Sequence, residues 1–122
     1  MYHSPGFLAI VDDAKSRIRE IDIAALVKMR EASTPHLLVD TREDGEWAAG
    51  RITGAIHIGR GIIERDIEVK VPEKETLLVL YCGGGYRSAL AADNLQRMGY
   101  SNCFSLAEGW RGWIDRGLPT ET

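Results

Sequence analysis

A chain of 122 residues with 44% hydrophobic and 27% charged residues has the size and balance of one globular domain that buries its own core. Its net charge of -3 excludes the broad basic surface that a phosphate backbone needs, so no nucleic-acid partner is expected. No apolar run approaches a membrane span, and Met1-Tyr2-His3-Ser4-Pro5 has neither the basic start nor the apolar stretch of a signal peptide, so no membrane partner and a cytoplasmic location are expected.

In chain order, Ser4 and Pro5 read as the cap and first position of a helix running to about Arg19, with Phe7, Leu8, Val11, Ala14 and Ile18 on one stripe. Asp22 caps a second helix through Ile23, Leu26, Val27 and Met29, which Pro35 stops. A buried strand spans His36 to Thr41, followed by a short charged helix from Glu43 to Ala49 that ends at Gly50. Ala55 to Ile58 predicts another buried strand, and a helix runs from Ile62 to about Ile67 before Pro72. Leu77 to Tyr81 is the clearest strand, and after its glycine loop a helix opens at Ser88 and closes at Gly99. A last strand spans about Asn102 to Leu106, and Gly109 to Ile114 form a turn and a short amphipathic helix bearing Trp110 and Trp113. Strands alternating with helices imply an α/β fold with a parallel sheet covered on both faces, whose ligands sit outside the carboxyl ends of the strands.

Cys82 falls at such an end, heading Cys82-Gly83-Gly84-Gly85-Tyr86-Arg87-Ser88. Three glycines between a strand and a helix let successive backbone N–H groups turn toward one anion, with no side chain in the way. Near those amides, the helix N-terminus and the Arg87 guanidinium, a cysteine thiol ionises well below its usual ~8.5. A thiolate is a nucleophile, and the same cradle suits a persulfide, whose terminal negative sulfur lies one bond further out. The bland alternative is a tight turn with Cys82 as a small buried residue, but such a turn needs fewer glycines. The two cysteines, Cys82 and Cys103, are far apart and are expected to be free thiols in a reducing compartment. Three histidines, His3, His36 and His57, without paired spacing predict no metal site.

The chain resembles the rhodanese family from about Asp22 to Pro119. The resemblance rests on Val39-Asp40-Thr41-Arg42-Glu43, Glu46-Trp47, Gly50-Arg51-Ile52, Gly54-Ala55-Ile56-His57-Ile58, the loop from Cys82 to Ser88, and the tail from Gly99-Tyr100 through Leu106 to Gly109-Trp110. It implies a compact domain at 22–122 with a central parallel sheet of about five strands and helices on both faces, preceded by an N-terminal helical extension at 1–21. It further implies a sulfurtransferase without a cofactor. In that reading Cys82 takes sulfur from thiosulfate or a persulfide and passes it to a thiol, cyanide or protein acceptor. Gly83, Gly84, Gly85, Tyr86, Arg87 and Ser88 would then hold the substrate. Four residues separate Cys82 from Arg87, as in the sulfurtransferases of this fold, whereas its phosphatases and arsenate reductases place five there. Many thiosulfate-using members carry Arg or Lys just after the cysteine, and Gly83 and Gly84 offer no charge, so no strong thiosulfate preference is expected.

Asp40 and Arg42 reach the same rim and are expected to support it, Asp40 through loop amides and Arg42 through a carboxylate or carbonyls. Arg60 and Arg65 follow the strand ending at Ile58, from which either can supply the missing cation or stay solvated. Cys103 suits the core better than a resolving role, and His57 has weak support as a general base. Trp47, Trp110 and Trp113 are read as packing, with Trp110 able to border the site. Two rival readings stay open at this point: a non-catalytic interaction module, and a phosphatase or arsenate reductase of the same fold.

Overall fold

A computed structural model describes residues 3–122 of the chain. Met1 and Tyr2, which head the expected extension, lie outside the described residues. The elements run α1 (Pro5–Lys15), β1 (Arg19–Ile21), α2 (Ile23–Glu31), β2 (Leu37–Asp40), α3 (Asp44–Ala49), β3 (Arg51–Ile52) and β4 (Ile56–His57). After them come α4 (Ile63–Lys70), β5 (Leu78–Tyr81), α5 (Tyr86–Arg97), β6 (Cys103–Leu106), α6 (Gly109–Asp115) and β7 (Thr120–Glu121). Five strands form one sheet in the order β1-β6-β5-β2-β4, with every pair parallel, as the strand and helix alternation predicts.

The central strand β5 shows how the sequence builds both layers. Side chains alternate across a strand, so Leu78 and Leu80 face the cluster that holds Ile63 and Ile67 of α4 and Ala91, Ala92 and Leu95 of α5. Val79 and Tyr81 face the opposite cluster, with Ile23 and Leu26 of α2 and Trp113 of α6. All four β5 residues are fully buried, and burying Leu78, Val79 or Leu80 contributes about 1.5–3 kcal/mol each.

Several sequence expectations are corrected. The first helix stops at Lys15, where the Ser16 amide closes onto Asp12 and Asp13, and Arg19–Ile21 is an edge strand paired with Phe104–Leu106. Ile18 fits the helical spacing, yet it packs on the core from the bend between α1 and β1. Two charged residues out of three hide β1 from any pattern reading; its ladder with β6 makes it a strand. Arg17, just beyond α1, forks onto Asp93 of α5 at 3.0 and 2.7 Å, which fastens α1 against that helix. The strand expected over Ala55–Ile58 shrinks to Ile56–His57, and α4 extends beyond Ile67 to Lys70. The helix expected to open at Ser88 opens at Tyr86, because Gly85 takes a left-handed φ of 91° and completes the turn at once. A small antiparallel ribbon, β3 with β7, was not expected at all.

Candidate active site

Cys82 follows directly on β5, so the sheet's most buried strand carries it to the carboxyl edge. The loop is fastened on its far side by α6: the amides of Trp110 and Arg111 donate to the carbonyls of Cys82 and Gly83 at 2.7 and 3.1 Å. That approach requires Gly109, at φ +58°, since a Cβ there would lie 2.5 Å from the Cys82 carbonyl oxygen. On the other side, the Thr41 hydroxyl and amide both donate to the Tyr81 carbonyl, at 2.9 and 2.8 Å, and tie β2 to the end of β5.

The sulfur sits in a set of donors. The Gly85 amide reaches Sγ at 3.2 Å and the Ser88 hydroxyl lies 3.6 Å away, itself 2.8 Å from the Ser105 hydroxyl. Burial opposes ionisation, but the Ser88 amide and hydroxyl and the Gly84 and Gly85 amides outweigh it and hold the thiol below its ordinary value. Opening α5 at Tyr86 rather than Ser88 is what places the Ser88 amide within the first turn, near the sulfur. Ser88→Ala removes one donor to the thiolate and should slow alkylation of Cys82 at neutral pH on the order of tenfold. The sign follows from the loss: the thiol then ionises at higher pH, so the two proteins should react alike once the medium is alkaline enough. A pH profile of iodoacetamide alkylation measures this, and superimposable profiles would rule out the Ser88 hydroxyl as a donor.

Arg87 keeps a charge and hydrogen-bond tie to Cys82 and has a second, stronger partner. Its guanidinium forks onto Glu46 of α3 at 2.7 and 3.1 Å, and Glu46 also accepts the Glu43 amide at 3.0 Å in a capping box. This pairing is the leading cause that raises Arg87 above its ordinary value and holds the Glu46 carboxyl below its usual range. Cys82 adds to the field on Arg87, yet the sulfur's own leading stabilisers are Ser88 and the glycine amides.

Asp40 and Arg42 are buried and brace the rim instead of lining the cavity. Arg42 donates to both Asp40 oxygens at 2.7–3.1 Å and to the Gly50 carbonyl at 2.6 Å, with its guanidinium 4.6 Å from the Trp110 ring. Asp40 also accepts the Arg42 amide at 2.9 Å. His57 stacks on Trp47 at 5.0 Å and its Nε2–H donates to the Arg42 carbonyl at 2.8 Å, so it is held in packing. Arg60 pairs with Glu64 and Arg65 with Asp66, both at about 2.9 Å or less, and neither lines the cavity. Cys103 is wholly buried, and burial pushes its thiol up to about 12, which leaves it unreactive.

The cavity above Cys82 has a volume of about 370 Å³ and is lined by Gly83, Gly84, Tyr86, Arg87, Glu46, Trp110, Arg111, His3 and Phe7. Gly85 and Ser88 serve the sulfur from beneath. Four of the lining residues escaped the sequence reading. Glu46 had a signal, since it stands in the run after Asp40 and Arg42. Arg111, His3 and Phe7 had none, because α1 and α6 reach the loop only through tertiary packing. His3 and Phe7 form an aromatic wall with Tyr86, at ring distances of 4.6 and 6.2 Å.

Comparison with known proteins agrees with this architecture. YtwF of Bacillus subtilis, which carries a sulfurtransferase name, is 34% identical over 102 residues, spanning 84% of this chain and 96% of that protein. A sulfurtransferase of Allochromatium vinosum is 32% identical over 102 residues, spanning 84% and 94%. The solved structure of a Rhodopseudomonas palustris protein of unknown function, suggested to be a tyrosine phosphatase, matches with a TM-score of 0.84 at 30% identity. That likeness covers 99% of this chain and 98% of the other, α1 included. The sequence model of the rhodanese-like domain matches residues 22–116. Because that match runs from the cap of α2 through α6 and takes in every strand of the parallel sheet except β1, the chain belongs to the rhodanese-like domain family.

Proposed function

We propose that the protein is a rhodanese-type sulfurtransferase that carries sulfane sulfur as a persulfide on Cys82, in a reducing compartment such as the cytoplasm. The observation that supports this best is the ring of amide and hydroxyl donors around Sγ, which stabilises a thiolate before reaction and a persulfide after it. In the first half-reaction the thiolate bonds to the outer sulfur of thiosulfate or a persulfide, and the donor's S–S bond breaks with its electron pair leaving on sulfite or a thiolate. In the second, cyanide, a thiol or a protein thiol bonds to that sulfur and the Cys82 thiolate returns. No oxidant or cofactor is needed, because each step exchanges one bond to sulfur for another. The sulfurtransferase names of the relatives point the same way.

The phosphatase suggested for the R. palustris neighbour is the rival. Against it, four residues and not five separate Cys82 from Arg87, a shorter cradle than the phosphatases of this fold use, and Arg87 itself is forked onto Glu46. Two free cysteines, both buried, accord with a reducing compartment. No helix among the described residues is long and apolar enough to cross a membrane.

Whole-protein mass spectrometry after incubation with thiosulfate, and separately with glutathione persulfide, tests the proposal. The expected result is a gain of one sulfur atom on Cys82 that cyanide removes. Absence of an adduct with both donors would favour a docking module, and Cys82-dependent hydrolysis of an aryl phosphate would favour the phosphatase.

A further inference from the structure

Three guanidinium groups approach the rim of the cradle, and two of them are neutralised. Arg42 is paired with Asp40 and Arg87 with Glu46, each at 2.7 Å. Arg111 is different: among the described residues no carboxylate pairs with it, and the acid nearest in its own helix turn, Glu108, is taken by Arg116 at 3.0 Å. Its guanidinium lies directly over Gly84, with Cζ 3.3 Å from where a Cβ would stand, and one nitrogen comes within 4.0 Å of the same point on Gly83. The glycines thus do more than free the amides; they leave room for a cation to lie across the loop. The backbone of residue 111 is pinned there by its amide bond to the Gly83 carbonyl, so the side chain alone varies on substitution. The aromatic wall of His3, Phe7 and Tyr86 lines the same cavity.

We infer that Arg111 is the anion-recognition residue of this site, binding the oxyanion end of a small sulfane-sulfur donor and aiming its outer sulfur at Cys82. The inference rests on the sulfur-transfer reading above for the identity of the donor, and on geometry alone for the recognition of an anion. It also accounts for a loop without Arg or Lys after the cysteine: the cation comes from α6, pinned beside the loop. With thiosulfate, the Cys82 thiolate bonds to the outer sulfur and the S–S bond to the sulfonate sulfur breaks. Sulfite departs with the electron pair, and three negative charges stand on each side of the step. Arg111 lies where the sulfonate end would rest throughout.

Paired alkylation separates recognition from sulfur chemistry. Iodoacetate and iodoacetamide differ in charge and deliver nearly the same group to Cys82, whereas Cys103 is buried and inert. Arg111→Gln should slow iodoacetate on the order of tenfold, the low end of what a focused charge does for an anionic reagent, with iodoacetamide changed by less than about twofold. Arg111→Lys should restore part of the difference, and added salt should shrink it in the wild type. The KM for thiosulfate should rise in Arg111→Gln by a similar factor, with the maximal rate of persulfide formation falling much less. A parallel rise for glutathione persulfide assigns any oxyanion, while a rise for thiosulfate alone assigns the sulfonate. An unchanged iodoacetate-to-iodoacetamide ratio would overturn the inference, and so would a shifted ratio with an unaltered KM for both donors. If the wild type forms no persulfide, the sulfur reading fails while the alkylation ratio still decides the role of Arg111.

Discussion

Cys82→Ser is expected to abolish sulfur transfer while leaving the fold intact. The serine oxygen can accept the same Gly85 amide and meet the same Ser88 hydroxyl, and its smaller size in a site that is 1% exposed leaves only a slight packing defect. Its melting temperature should therefore stay within a few degrees of the wild type. The chemistry does not survive the exchange, because an alcohol stays protonated at neutral pH even among these donors and offers no sulfur to hold the transferred atom. Removing a covalent nucleophile costs on the order of 10³-fold or more, so turnover from thiosulfate to cyanide should fall to the uncatalysed rate. Cys103 cannot substitute: burial keeps its thiol protonated, and it does not line the cavity. A steady-state thiocyanate assay beside a thermal melt measures both halves of this expectation. Wild-type turnover in the serine variant would remove Cys82 from the mechanism, and loss of the melt would mean that the sulfur also holds the loop.

Gly85→Ala should damage stability and activity together. Gly85 sits at φ +91°, where an alanine costs about 1–2 kcal/mol in its own backbone sterics. The added Cβ would also collide with the Ala107 backbone, 3.1 Å from its carbonyl carbon and nearer still to the oxygen, and no rotamer change can relieve a contact with main chain. Such overpacking adds about 1–3 kcal/mol, for a combined loss of roughly 2–5 kcal/mol and a drop in melting temperature of about 10 °C or more. Any shift that relieves the clash moves the Gly85 amide off Sγ, so alkylation of Cys82 at neutral pH should slow as well. Gly45→Ala is the matched control. It lies in α3 with nothing within 4 Å of the added carbon, and there alanine should stabilise by about 0.5–1 kcal/mol. A Gly85→Ala melt no lower than the control's would show that the turn is not constrained as the geometry requires.

The residues from Leu77 to Ser88 carried most of the Cys82 thiol's setting, because a strand, a glycine turn and a helix start are local events. Apolar alternation is enough to bury β5, Gly85 can turn the chain by itself, and amides from successive residues converge on a sulfur that precedes them by a few positions. The α/β alternation and the cap at Asp22 were legible for the same reason. What lay beyond that reach depended on contacts between distant segments. Arg19–Ile21 is a strand because β6 offers it a parallel ladder, against its own charged composition. Glu46, 41 positions before Arg87, takes up the guanidinium that the loop alone would have left to the sulfur. His3 and Phe7 reach the cavity because α1 packs on α5, and Arg111 reaches it because α6 is pinned to the loop carbonyls. Local hydrogen bonding and side-chain periodicity therefore determined the Cys82 thiol and its cradle of donors, whereas the packing of α1, α3 and α6 around them decided which charges and which walls line the cavity above it.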